Sequence, residues 1–216
     1  MDHVYHPAYS RIHFQKEKAV KKGIAFFDFD GTLSSKDSLL EFIKFSKGNF
    51  RFFFGFLLLS PWLLALKFRL ISNQRAKEKV LRYFFNGTPV GRFNETGRQF
   101  AGTVIPSIIR PGALREIKKL KENNIEIVVV SASPENWLTD WTHSQGLTLI
   151  STRLVETDDK VTGMIEGFNC HGEEKVRRIR EQFDLSAYDE IYAYGDSSGD
   201  RPMLALARHA FYKPFR

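Results

Sequence analysis

The run Ile24-Ala25-Phe26-Phe27-Asp28-Phe29-Asp30-Gly31-Thr32 narrows the folds open to this chain more than any other segment. An apolar stretch of strand length, closed by a glycine turn, belongs inside a parallel sheet covered on both faces. Residues two apart on an extended strand share a side, so Asp28 and Asp30 are expected to converge while Phe29 turns away. Two carboxylates held together repel unless a cation lies between them or one keeps its proton. Either arrangement serves chemistry better than it serves a core. The segment reads as the end of an active-site strand.

A second acidic cluster has the same form. Glu190-Ile191-Tyr192-Ala193-Tyr194 is strand-like and runs into Gly195-Asp196-Ser197-Ser198-Gly199-Asp200. In open α/β sheets ligands gather at the carboxyl ends of the strands. Magnesium is a hard ion usually held by one or two carboxylates, with room left for water and phosphate. Asp28 and Asp196, with a backbone carbonyl near Asp30, would form such a site, and Asp200 would support the metal or its waters. Solvated turns explain one Asp/Gly cluster more readily than two that each follow an apolar strand.

With these residues in hand, the chain resembles the haloacid dehalogenase superfamily of phosphohydrolases. Four motifs stand in the expected order over most of the chain beyond its first two dozen residues. Asp28-Phe29-Asp30-Gly31-Thr32 matches the first, Ile127-Val128-Val129-Val130-Ser131-Ala132-Ser133 the second, Lys175 the third, and Gly195-Asp196 with Asp200 the fourth. The resemblance implies an α/β fold, a Rossmann-like doubly wound parallel sheet core with an inserted α-helical cap. It implies Asp28 as nucleophile and Asp30 as general acid/base. Phosphate binding would fall to Gly31, Thr32, Ser131, Ala132 and Lys175, and Mg2+ to Asp28, Asp30, Asp196 and Asp200. The roles also make physical sense. A carboxylate that attacks phosphorus splits one hard hydrolysis into two displacements, and preorganised donors stabilise the transferring charge.

Other chemistries fit less of the chain. Gly195-Asp196-Ser197-Ser198-Gly199 matches the G-x-S-x-G elbow of a serine esterase, with Ser197 as nucleophile. Only Asp200 and His209 follow it as acid and histidine, too near the end for two more strand-loop units. No G-x-x-x-x-G-K-[ST], H-E-x-x-H or paired C-x-x-C occurs. The single cysteine, Cys170, excludes an internal disulfide, fits a reducing compartment, and is expected to be a buried neighbour of the Lys175 loop. Met1 to Lys22 is polar and basic, carries His3, His6 and His13, and reads as a loosely packed extension without a signal-peptide pattern. A cytoplasmic protein, peripheral at the inner face of the membrane, is the expected setting.

Organisation follows the same residues. The 216 residues are enough for a well-buried core. The expected parts are an extension (1–22), a catalytic core (23–34 and 108–216) and a helical cap (35–107) in which no strand signal is found. Pro111-Gly112 opens a helix to Glu122, and a strand ending at Ser131 follows. Next come a helix near Pro134–Ser144, a strand near Leu147–Ser151 and a hairpin over Thr152–Ile165. A helix over Gly172–Phe183 precedes the Glu190 strand, and a helix after Pro202 and a strand at His209–Tyr212 close the chain.

The cap should report on the substrate, because caps placed between the first two motifs cover the site, as in the subgroup containing the phosphoserine phosphatases. From Lys44 to Arg92 it holds ten Lys/Arg and one acid, Glu78, a formal +9 against +7 for the whole chain. Within it Phe52 to Leu66 is apolar on all sides, shorter than the roughly 20 residues of a span, with Pro61 in the middle. Two readings stay open: a bent interfacial segment over 51–69 that meets an anionic membrane surface, or a cap core helix at a homodimer interface. Two substrates follow. One is an anionic lipid phosphate, since the cap and Asn169-Cys170-His171-Gly172-Glu173-Glu174-Lys175-Val176 are similar to C-type phosphatidylglycerophosphate phosphatases. The other is a small phosphomonoester such as phosphoserine. For that substrate Asp37 is the acid that would read the amine, although those enzymes usually carry Ser where this chain has Gly31. Asp37 and Arg75 are the candidate substrate-selecting residues. A basic, non-enzymatic binding module remains as an alternative outside enzymology. Nucleic acid is not expected, because the Phe and Leu residues lack the spacing of a stacking platform.

Overall fold

The computed structural model describes residues 22–68 and 70–216, so the extension with its three histidines lies outside the described residues apart from Lys22, as does Arg69. In chain order, strand β1 (Gly23–Phe27) leads to helices α1 (Ser38–Lys67) and α2 (Asn73–Phe85) and a two-residue strand β2 (Thr88–Pro89). Helices α3 (Val90–Thr103), α4 (Ile105–Ile108) and α5 (Pro111–Glu122) precede β3 (Ile125–Pro134), α6 (Thr139–Ser144) and β4 (Thr148–Thr152). The hairpin β5 (Leu154–Thr157) and β6 (Lys160–Ile165) follows, then α7 (Glu173–Gln182), β7 (Glu190–Gly195), α8 (Arg201–Leu204) and β8 (His209–Tyr212).

Five strands make a parallel sheet in the order β4-β3-β1-β7-β8. The all-apolar β1 is central because both its faces are covered. Ala25 and Phe27 lie with Ile127, Val129 and Tyr194 against Ala113, Ile117 and Leu120 of α5. Ile24 and Phe26 lie with Val128, Val130 and Ala193 against Ile179 of α7 and Met203 of α8. The two-residue alternation of the strands sorts these side chains into the two clusters. This is the expected α/β architecture, a parallel sheet wound on both faces. Phe27 is level with Val129 and Tyr194, so the segments after all three strands emerge side by side.

The insertion is mostly helical, but β2 departs from the expectation of no strand. Thr88 pairs with Val161 and Pro89 with Lys160, giving a small antiparallel sheet β2-β6-β5. Two residues carry no periodic signal of their own; the edge of β6 supplies the partner. The insertion meets the core through an aromatic cluster in which Phe42 stacks on Trp137 at 4.5 Å and meets Phe85, Phe93 and Phe100. Each such ring contributes roughly 1.5–3 kcal/mol on burial.

Of the two readings left open for the apolar stretch, neither a bend at Pro61 nor a fully buried helix is what α1 shows. The helix runs through Pro61, whose missing amide leaves the Leu57 carbonyl without its usual donor, and the Ser60 hydroxyl donates to that carbonyl at 2.8 Å. The helical path breaks instead at Gly48, whose φ of 79° suits glycine. The helix is long and apolar enough to cross a membrane by length and composition, with mean hydropathy 1.5. Phe52, Gly55 and Leu59 turn inward, and a Cβ on Gly55 would come within 2.4 Å of the Phe84 ring, so α1 and α2 approach closely there. Phe50, Phe53, Phe54, Leu57, Leu58 and Trp62 face outward; Phe50 is 84% and Leu57 68% exposed. The segment is therefore striped by packing rather than by composition.

Candidate active site

Asp28 follows β1 directly, and its amide donates to the Tyr194 carbonyl at 2.9 Å, so the sheet ladder fixes its backbone. The residue is 7% exposed. Lys175 Nζ donates to Asp28 Oδ1 at 2.6 Å, and Thr32 Oγ1 donates to Oδ2 at 3.0 Å. Burial pushes the Asp28 carboxyl up to about 7, although Lys175 pulls it down. Lys175, in the first turn of α7 and 1% exposed, also donates to Asp200 Oδ1 at 2.7 Å. Burial disfavours its charge, but Asp28 and Asp200 together hold it above the ordinary lysine range. Burial raises Asp200 too, yet Lys175 and the Ser197 bonds leave it below the usual carboxylate range. Its Oδ2 accepts from the amides of Asp196 and Ser197 and from Ser197 Oγ.

Asp30 stands apart from this group. Its Oδ1 accepts from the Ser38 amide and its Oδ2 from Ser133 Oγ, both at 2.6 Å. Ser38 Oγ donates to Ser133 Oγ and accepts from Trp137 Nε1, so the donors line up from the aromatic cluster to the carboxylate. Burial, then the charge of Asp37, raises Asp30 to about 6. Asp30 is only the smallest of the influences that raise Asp28, so the two carboxylates are neighbours with separate partners. Both lie beyond the strand, since β1 stops at Phe27, and the chain turns just after Asp30 at Gly31 with φ 84°. A Cβ on Gly31 would lie 2.5 Å from Asp196 Oδ2, so this turn has room only for glycine.

Carboxylate oxygens of Asp28, Asp196 and Asp200 all lie within 4.8 Å of one another. An all-oxygen, acidic donor set suits a hard divalent cation. The need for positive charge is visible in the structure: Lys175 sits between two of the three acids, and the Arg216 guanidinium pairs with Asp196. The residues therefore fit a hard divalent cation such as Mg2+. Asp30, expected among the ligands, is not in the trio because its carboxylate is engaged by Ser38 and Ser133.

The remaining expected residues fall in several places. Ser131 is fully buried and its Oγ accepts from the Ser133 amide at 3.0 Å. Asp37 caps α1 by accepting from the Leu40 amide. Arg75 is exposed in the first turn of α2, and its amide donates to Ser72 Oγ. A cap cation that reaches the core is Lys77, which sequence reasoning passed over. Its Nζ donates to the Ala132 carbonyl at 3.0 Å and to Asn169 Oδ1 at 3.2 Å, and burial holds it below the usual lysine range. The signal was present: Lys77 lies three and four residues before the buried Val80 and Leu81, on the inward face of α2. Cys170 is fully buried near Lys175, as expected. The esterase reading has no support here, since Ser197 Oγ donates to Asp200 and His209 is engaged by Glu190.

Comparison with known proteins agrees with this geometry. The sequence profile of the haloacid dehalogenase-like hydrolases matches residues 25–205. Protein CicA of Caulobacter vibrioides is 38% identical over 192 residues, covering 88% of this chain and 85% of that protein. A probable phosphatase of Mycobacterium tuberculosis is 31% identical over 197 residues, covering 86% of this chain and 67% of that one. A crystal structure of phosphoserine phosphatase in its apo form shares the fold, with TM-score 0.60 and 19% identity over 87% of this chain and 84% of the other.

Proposed function

The chain belongs to the haloacid dehalogenase-like hydrolases and is a phosphatase of that family, and from this premise we propose that it hydrolyses its phosphomonoester through a covalent phosphate on Asp28. The observation that carries the reading is the buried Asp28–Lys175–Asp200 arrangement beside Asp196. An Asp28 carboxylate oxygen attacks phosphorus, the bond to the leaving oxygen breaks, and Asp30 gives that oxygen a proton. Asp30 then takes a proton from water as the water oxygen attacks phosphorus. The Asp28–phosphate bond breaks, inorganic phosphate leaves and the carboxylate is restored. A carboxyl near pKa 6 can both give and take the proton around neutrality. Lys175 and donors near Gly31, Thr32, Ser131 and Ala132 would bind the phosphoryl oxygens, a reading supported by the contacts of Lys175 and Thr32 with Asp28. When bound, Mg2+ would be held by Asp28 and Asp196, with Asp200 supporting, and would offset the repulsion between nucleophile and phosphate.

For the substrate we favour an anionic lipid phosphate such as phosphatidylglycerophosphate, met at a cytoplasmic membrane face. The support is the cationic cap and the outward apolar side of α1. Phosphoserine is the second reading, supported by the closeness of Asp37 to Asp30. It is weakened because Asp37 already caps α1 and because Ser in place of Gly31 would press on Asp196. Magnesium-dependent phosphate release from phosphatidylglycerophosphate in mixed micelles and from phosphoserine, with Asp28→Asn as the blank, tests both. Residual turnover by Asp28→Asn would reject Asp28 as nucleophile, and preference for phosphoserine would reject the lipid.

A further inference from the structure

Away from the carboxylates, the cap holds a cavity of about 390 Å³ between α1, α2, β2 and α3. Three cations line it, Lys47, Arg51 and Arg92, and no carboxylate does. None of the three forms an ion pair among the described residues; Lys47 instead lies over the Phe85 ring at 4.9 Å. Partial burial, then Arg92 and Arg51, hold the Lys47 ammonium below the usual lysine range, so the cations repel one another. Three like charges around one hollow call for an anion, and arginine forks match phosphate oxygens.

A second hollow of about 310 Å³ opens from the same place. It shares Lys47, Arg51 and Phe84 with the first and is otherwise lined by Phe50, Phe54 and Tyr83. A charged pocket and an aromatic groove with shared walls suit a molecule with an anionic head and an apolar tail. Beyond the groove, Phe53, Leu57, Leu58 and Trp62 continue the exposed apolar side of α1, the arrangement of an interfacial helix. Insertion of α1 across a bilayer fits less well, because Gly55 holds it against α2, which carries Lys77, Lys79 and Arg82.

We propose that Lys47, Arg51 and Arg92 form a headgroup site for anionic phospholipid, with acyl chains along Phe50 and Phe54, which seats the cap on a membrane surface. The site lies outside the catalytic residues and does not depend on which phosphomonoester is hydrolysed.

Flotation of the full chain with phosphatidylcholine vesicles, with and without phosphatidylglycerol, tests it. Wild type should float only with the anionic vesicles. The variant Lys47→Gln/Arg51→Gln/Arg92→Gln should bind on the order of 100-fold more weakly, since each cation near anionic headgroups is worth about a fivefold factor. Phe50→Ser/Phe54→Ser should also weaken binding, and both variants should keep hydrolysis of para-nitrophenyl phosphate in solution, which shows that they fold. Absence of wild-type flotation, equal binding to both vesicles, or an unaffected triple variant would overturn the site. So would a wild-type dimer that Phe50→Ser/Phe54→Ser dissociates without any vesicle binding, because the face would then join two copies of the chain.

Discussion

Replacing Lys175 by Met separates the electrostatic argument from a merely structural one. In the native chain this ammonium is the shared donor to Asp28 and Asp200 at 2.6 and 2.7 Å, and all three groups are buried. Removing one partner from a buried ion pair costs about 3–5 kcal/mol. The cost should depend on pH. Burial already raises Asp28 to about 7, and without Lys175 both acids should titrate higher. The folded variant then binds more protons than its unfolded chain, so its stability falls as pH rises. Denaturant unfolding should show the full loss near pH 8 and a loss under roughly half as large near pH 5.5, where Asp28 is protonated. Turnover should fall by about 10²–10³ or more, because one fixed cation facing the transferring phosphoryl group is lost, and the fall should be steeper at the lower pH, where the nucleophile of the variant is more fully protonated. A pH-independent loss of stability would refute the reasoning, since packing alone would explain it. Unchanged stability at pH 8 would refute it outright.

Four other outcomes follow from the same region. Asp28 must be ionised to hold a metal, so the apparent Mg2+ affinity, read by thermal shift, should tighten about tenfold per pH unit up to about 7 and then level off; a flat profile would remove Asp28 from the ligands. The metal-free protein should lose stability over the same rise, because the raised carboxyl favours the folded state only while protonated. Arg216→Ala frees Asp196 from its guanidinium and should tighten Mg2+ binding by roughly two- to tenfold at neutral pH; calorimetry showing weaker binding would mean that Arg216 organises the site. Lys77→Met breaks the cap-to-core bonds to Ala132 and Asn169 and should lower kcat/KM by about 10- to 100-fold, and an unaffected kcat/KM would assign Lys77 to structure alone.

Some of this was legible in the chain because its cause is local. An apolar run that ends in acids and glycine dictates a central strand and a polar exit, and β1 with Asp28 has that form. The order Asp28, Ser131, Lys175, Asp196 places each residue at or after an element the pattern reveals. Features made by contact were hidden. Lys77 looked like one of ten cap cations until α2 turned it inward, and β2 exists because β6 offers an edge. Pro61 left open whether the apolar stretch bends; the helix passes through it and breaks at Gly48, since a neighbouring hydroxyl can satisfy a carbonyl that proline abandons. Arg216 is remote from Asp196 in sequence by 20 positions, and only the turn after β8 brings them together.

The small sheet β2-β6-β5 joins two stretches of chain that are far apart in sequence. Gly163 of β6 lies so close to α2 that a Cβ there would fall 2.5 Å from the Arg82 amide nitrogen. The helical insertion is thus packed as one unit with the hairpin that follows β4. Grafting α1 to α3 alone onto a relative would leave β2 without its mate and α2 without its hairpin. A chimera meant to exchange the insertion would have to carry both stretches, and drift in one stretch constrains what the other can accept.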